Sequence, residues 1–128
     1  AIRPTDLATR YGGEEFAIIM PDTDLAAACT VADRLRHAVA EMRIALGEPR
    51  DDACVTLSIG VATYMPGQEV VGPEWLIGQA DQAHYAAKHI GRNCVVSAET
   101  MLLELAKARL MRSSAAEPAP DTPRKARG

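Results

Sequence analysis

Apolar positions along this chain alternate between two spacings, and the places where the spacing changes mark its elements. Leu7, Ala8, Thr9 and Tyr11 suit an extended strand, and Phe16 to Met20 is a continuous apolar run of the kind that forms a short buried strand. Gly12-Gly13 between them is a dipeptide that two-residue hairpin turns favour, because glycine reaches positive φ without steric cost. Pro21-Asp22-Thr23-Asp24 then stops the second strand and opens a helix with Thr23 or Asp24 as its N-cap. In that helix, predicted to run to about Arg43, Ala28, Val31, Ala32, Leu35, Ala38, Val39 and Met42 recur every three or four residues as one apolar stripe.

The spacing changes again after a polar loop over Gly47 to Asp52. From Cys54 to Ala62 the chain reads as a strand, with Val55, Leu57, Ile59 and Val61 on one face and Thr56, Ser58 and Gly60 on the other. A glycine on the crowded face implies that something packs closely there. Met65 to Gly72 is a loop, Pro73 suits a first helical turn, and the helix it opens runs to Ile90 with Gly91 as its stop. Cys94-Val95-Val96 is a last short strand, and Glu99 to Arg112 has helical composition. The alanine, proline and charged residues from Ser113 onward read as a disordered tail. The order β-β-α-β-α-β-α predicts an α/β (α+β) fold with an antiparallel hairpin in a mixed sheet.

Composition narrows the field only a little. A length of 128 residues allows one domain, and 48% hydrophobic content is ordinary for a globular protein. A net charge of −3 gives no electrostatic reason to expect a nucleic acid polymer or an anionic membrane as partner. No apolar run approaches the roughly 20 residues a spanning helix needs, so no membrane contact by this segment is expected. Cys29, Cys54 and Cys94 are odd in number and lack CxxC spacing, which predicts reduced, buried small hydrophobes in a cytoplasmic protein. The chain opens without Met, and the expectation is a piece of a longer reading frame whose parent has room for a membrane anchor.

The candidate chemistry begins at the glycine turn. A turn needs only glycines, yet Glu14 and Glu15 follow at once, and carboxylates bordering a buried strand must be hydrated, paired or bound to a cation. A tight turn with adjoining oxygen ligands suits a phosphate–metal site. Adjacent residues of an extended chain point to opposite faces, so Glu14 and Glu15 are not expected to be primary ligands of the same ion.

The stretch Arg10-Tyr11-Gly12-Gly13-Glu14-Glu15-Phe16 resembles the signature of the GGDEF domain, the diguanylate cyclases that condense two GTP into cyclic di-GMP. Further similarity follows in order at Val55-Thr56-Leu57-Ser58-Ile59-Gly60-Val61-Ala62, at Ala80-Asp81-Gln82-Ala83-His84-Tyr85-Ala86-Ala87-Lys88 and at Gly91-Arg92-Asn93. The resemblance implies a nucleotidyl-cyclase or polymerase-palm-like fold that here lacks its first strand and helices. Residues 1–98 are then the C-terminal portion of such a domain, 99–112 a C-terminal helix and 113–128 a tail.

The same resemblance implies a set of site residues. Glu14 would ligate Mg²⁺ (or Mn²⁺) and help activate the 3′-hydroxyl, Glu15 would support metal binding, and Gly13 would let the backbone approach the nucleotide. Lys88 and Arg92 would contact the triphosphate, where an unrelated helix end would carry two solvated cations. Arg3-Pro4-Thr5-Asp6 matches the family's RxxD inhibitory site for the product cyclic di-GMP, with Arg34 as a secondary arginine. Asp81 would be a structural or hydrogen-bonding carboxylate, and His84, where the family usually has Leu, a partly buried core substitution. His37 and His89 read as surface positions.

One domain holds one GTP, so a homodimer is implied for catalysis. The family's metal-binding aspartate and guanine-reading residues have no counterpart in the sequence, so residues 1–128 alone are expected to be inactive and to fold poorly. The alternative is a catalytically silent GGDEF domain that binds cyclic di-GMP as a receptor. The joint presence of Glu14, Lys88 and Arg92 favours the enzyme.

Overall fold

A computed structural model describes residues 3–42, 54–69 and 72–115 of the chain. Within them the element order is β1 (Leu7–Arg10), β2 (Phe16–Ile19), α1 (Leu25–Ala40), β3 (Ile59–Val61), α2 (Pro73–Ile90), β4 (Val95–Ser97) and α3 (Met101–Ala115). β1 and β2 form an antiparallel hairpin, with Leu7 opposite Ile19 and Arg10 opposite Phe16. β3 and β4 pair in parallel, with Ile59 opposite Val95 and Val61 opposite Ser97, and α2 is the crossover between them. The two pairs are not hydrogen-bonded to each other. The mixed α+β architecture with its hairpin is the one the sequence predicts; the polar loop expected at 47–52 lies outside the described residues, as does the tail from 116 onward.

The helices start and stop where their terminal residues dictate. Asp24, at φ −82°, accepts the Ala27 N–H at 2.8 Å and is the N-cap of α1. Thr23, the other candidate, donates instead to the Pro21 carbonyl. α1 ends at Ala40, short of the expected Arg43, and of its stripe only Ala28 and Ala32 are fully buried while Met42 is exposed. α2 runs over the predicted residues, with Pro73 in the first turn and Gly91 at φ 141° as the stop. α3 is shifted by two to three residues from the predicted span.

The core is made of small side chains. Ala83, Ala86 and Ala87 of α2 bury against Val96, and Met101 and Leu105 of α3 close that cluster from outside. Ala28 and Ala32 of α1 pack with Val61, joined at the edge by Met20, Leu25 and Cys29. The close approach expected at Gly60 is present: a Cβ there would collide with the backbone of Ala80 and His84, reaching the His84 Cα at 2.7 Å. His84 is half-buried, as expected of a core substitution.

Three expectations are corrected. The strand foreseen from Cys54 is regular only over Ile59–Val61, because β4 offers three partners and no other described strand lies on that edge; Val55 is exposed. β2 is not buried: Phe16 is 70% and Ile19 56% exposed, because no described helix packs on the hairpin. Cys54 is exposed rather than buried, whereas Cys29 and Cys94 are half-buried with thiols pushed up by burial; all three are free.

The hairpin is held at its base by Arg3. Its guanidinium donates to Asp6 at 2.8 Å, to the Pro21 carbonyl at 2.9 Å and to the Thr23 hydroxyl at 2.6 Å, tying the entry of β1 to the turn before α1. The Asp6 side chain, 1% exposed, also accepts the Arg3 backbone N–H at 2.7 Å. These hydrogen bonds from Arg3 hold the Asp6 carboxyl below its ordinary value of 3.8.

Two outcomes are expected. Gly60→Ala should lower the urea unfolding midpoint by the equivalent of about 2–3 kcal/mol, since backbone rather than a flexible side chain blocks the new methyl; an unchanged midpoint would mean that α2 does not lie on β3. A carboxyl whose pKa is lowered by folding stabilises the fold above the ordinary value and loses that contribution as pH falls through the folded one. Thermal unfolding between about pH 5 and pH 2 should therefore fall more steeply for the wild type than for Asp6→Asn. Parallel curves would remove the Arg3–Asp6 pair from the folded state.

Candidate functional site

The turn between β1 and β2 is longer than the sequence suggests. The last paired residues are Arg10 and Phe16, so five residues, Tyr11 to Glu15, make the reversal. Neither Gly12 nor Gly13 has a positive φ, which corrects the two-residue turn: spreading the reversal over five residues removes the need for one. The loop is closed by the Glu15 carbonyl, which accepts the N–H groups of Tyr11 at 2.8 Å and Gly12 at 3.1 Å. The Arg10 side chain donates to the Gly13 carbonyl at 2.6 Å and ties down the other limb. At Gly12 a Cβ would find only the Glu15 side chain, at 3.5 Å or beyond, and at Gly13 nothing within 4 Å. The space above Gly13 is open to a ligand.

The two carboxylates differ in exposure. Glu14 is exposed, whereas Glu15 is half-buried and its Oε2 lies 3.8 Å from Lys88 Nζ near the end of α2. This contact brings the turn and the helix cation together although they are far apart in sequence. Arg92 follows beyond Gly91 and is exposed, at φ 60°. Arg3 and Asp6 are joined as described above. Arg34 is exposed on α1 and has no hydrogen bond or ion pair among the described residues. Asp81 is exposed on α2 and likewise shows no hydrogen bond there.

A hard divalent cation fits part of this donor set. Among the described residues no three acidic, histidine or cysteine side chains converge into a cage. Mg²⁺, however, is commonly held by one or two carboxylates together with waters and substrate phosphates. Glu14, solvent-facing beside open space, suits that arrangement, and Glu15 adds a second carboxylate already opposed by Lys88.

Sequence reasoning missed Arg36 of α1. Its Nε donates to Asp33 at 2.8 Å and its Nη1 to the Asn93 side chain at 3.0 Å, 57 residues away. An arginine outside any recognised motif reads as a solvated helix residue, and only its position beside the apolar stripe of α1 hints otherwise. His37 and His89 are exposed as foreseen, and His89 stacks on Tyr85 with ring centroids 3.9 Å apart. No helix among the described residues is long and apolar enough to cross a membrane.

Comparison with known proteins shows the family. Residues 1–94 match the family model "Diguanylate cyclase, GGDEF domain". Response regulator PleD of Caulobacter vibrioides is 47% identical over 96 residues, covering 74% of this chain and 20% of PleD. Diguanylate cyclase DgcM of Escherichia coli is 40% identical over 96 residues, 75% of this chain and 22% of DgcM. Diguanylate cyclase A of Treponema denticola is 37% identical over 100 residues, 78% of this chain and 26% of that protein. The chain thus spans about a fifth to a quarter of these relatives' length. The crystal structure of the GGDEF domain of DgcB from Caulobacter crescentus, in complex with cyclic di-GMP, superposes with a TM-score of 0.68 at 35% identity, covering 76% of this chain and 56% of that one. The hairpin with its acidic turn and the long helix α2 fall within the matched residues 1–94, and the chain belongs to the GGDEF family of diguanylate cyclase domains.

Proposed function

We propose that this segment carries part of the active site of a diguanylate cyclase, which condenses two GTP into cyclic di-GMP with release of pyrophosphate. The observation that carries the reading is the Glu15–Lys88 contact, which puts the acidic turn and the end of α2 at one place. In each of two steps, a ribose 3′-oxygen bonds to the α-phosphorus of the facing nucleotide, the α–β phosphoanhydride bond breaks, and the hydroxyl proton passes to a base. Glu14 takes that base role and would hold Mg²⁺ or Mn²⁺; Glu15 supports it. A bound divalent cation there supplies charge neutralisation on the triphosphate and lowers the pKa of the attacking hydroxyl.

Lys88 and Arg92 bind the triphosphate oxygens, and the absence of a side chain on Gly13 lets the nucleotide lie against the turn. The attacking and attacked nucleotides sit on two copies of the domain, so the active form is a homodimer. Arg3 and Asp6, assisted by Arg34, bind the product. In the present conformation Asp6 is closed under Arg3, so product binding requires that pair to open. This Arg3–Asp6 pair also favours a second reading, in which the domain is a cyclic di-GMP receptor without activity.

A single pair of measurements separates the two. In the intact protein, Glu14→Gln should lower cyclic di-GMP formation on the order of 100-fold while leaving cyclic di-GMP binding unchanged. A wild type that binds cyclic di-GMP but forms none would favour the receptor. Arg3→Ala should weaken cyclic di-GMP binding about tenfold or more by equilibrium titration, through loss of charge-assisted hydrogen bonds; unchanged affinity would remove the inhibitory-site assignment.

A further inference from the structure

The turn that leaves α2 is held in an uncommon backbone conformation. Gly91, Arg92 and Asn93 have φ of 141°, 60° and 48° in succession. Glycine accepts this freely and asparagine tolerates it, but a left-handed arginine costs on the order of 1–2 kcal/mol and persists only where its surroundings impose it.

Those surroundings are identifiable. The N–H groups of Gly91 and Arg92 both donate to the Ala87 carbonyl, the latter at 2.9 Å. The Asn93 N–H donates to the Ser58 hydroxyl at 3.2 Å, just ahead of β3. From the other side, Arg36 Nη1 donates to the Asn93 side-chain oxygen at 3.0 Å and approaches its carbonyl at 3.5 Å. Arg36 is itself fixed: its side chain is only 17% exposed and its Nε is paired with Asp33 at 2.8 Å. Asp33 also faces His37, whose Nδ1 is 3.4 Å from the carboxylate. The backbone donors of the turn are therefore committed within the protein, and they are not free to bind an anion. What the turn presents outward is the Arg92 side chain.

We infer that Arg36 is a positioning residue for Arg92: the Asp33–Arg36–Asn93 chain, with Ser58 opposite, locks the left-handed turn that aims Arg92 at the triphosphate of bound GTP. The inference rests on the reading of Arg92 as a triphosphate contact. Arg36 touches no nucleotide itself. Its contribution is to remove conformational freedom from the turn, so that Arg92 loses less entropy when it binds.

The test is a double-mutant cycle in the intact protein, with equilibrium binding of GTP and of GMP as the readouts. Arg92→Ala and Arg36→Gln should each weaken GTP roughly tenfold, the size expected for loss of one well-placed charge-assisted hydrogen bond, and GMP much less. The double variant should be no weaker than Arg92→Ala alone, because Arg36 acts only through Arg92. Asn93→Gly keeps the permitted backbone but deletes the side-chain acceptor, and it should reproduce the Arg36→Gln loss even where that variant folds badly. If Arg92→Ala weakens GTP while Arg36→Gln and Asn93→Gly do not, the inference is overturned and the proposed site stands. Additive losses in the double variant would make Arg36 a merely structural residue and also overturn it. If Arg92→Ala leaves GTP binding unchanged, the reading of Arg92 fails first and the inference with it.

Discussion

With no Cβ on Gly60, the backbone of α2 at Ala80 and His84 can lie directly against β3, and much of the remaining geometry follows from that contact. A helix so close to a strand can present only small side chains to the sheet, and Ala83, Ala86 and Ala87 meet that requirement. Together they fix both the height of the helix and its rotation about its axis. Lys88 follows Ala87 directly, so the rotation that buries the alanines also turns Lys88 toward the hairpin, where it meets Glu15. A packing constraint in the core thus determines where a charged group stands at the surface.

Tight packing of small residues has a second consequence. Alanine and valine each remove little apolar area from water, and hydrophobic stabilisation scales with that area at roughly 25 cal/mol per Å². Many large apolar side chains among the described residues lie elsewhere: Leu7, Phe16 and Ile19 on the hairpin, and Leu102, Leu103, Leu110 and Met111 on α3, are all more than half exposed. The hairpin is joined to the body by a few specific links, namely Met20 in the α1 cluster, the Arg3 clasp onto Pro21 and Thr23, and the Glu15–Lys88 pair. Polar links of this kind set direction well and stabilise modestly. Here they fix the direction of the acidic turn relative to α2.

The sequence by itself determined the element order, the stops at Pro21 and Gly91, a cap for α1 narrowed to Thr23 or Asp24, the close approach at Gly60 and the identity of the acidic turn. Each of these rests on local chemistry: a glycine's missing side chain, a proline's fixed φ, a cap oxygen two or three residues from its donor. Only the tertiary structure decided which apolar runs are covered. Phe16 to Met20 and Val55 to Val61 have the pattern of buried strands, yet burial depends on a partner layer, and the pattern cannot say whether one is in place. It also decided that Glu15 rather than Glu14 faces Lys88, and that Arg36 reaches Asn93 across 57 residues. Such pairings are set by the rotation and height of packed helices, which depend on the shapes of surfaces brought together from distant parts of the chain.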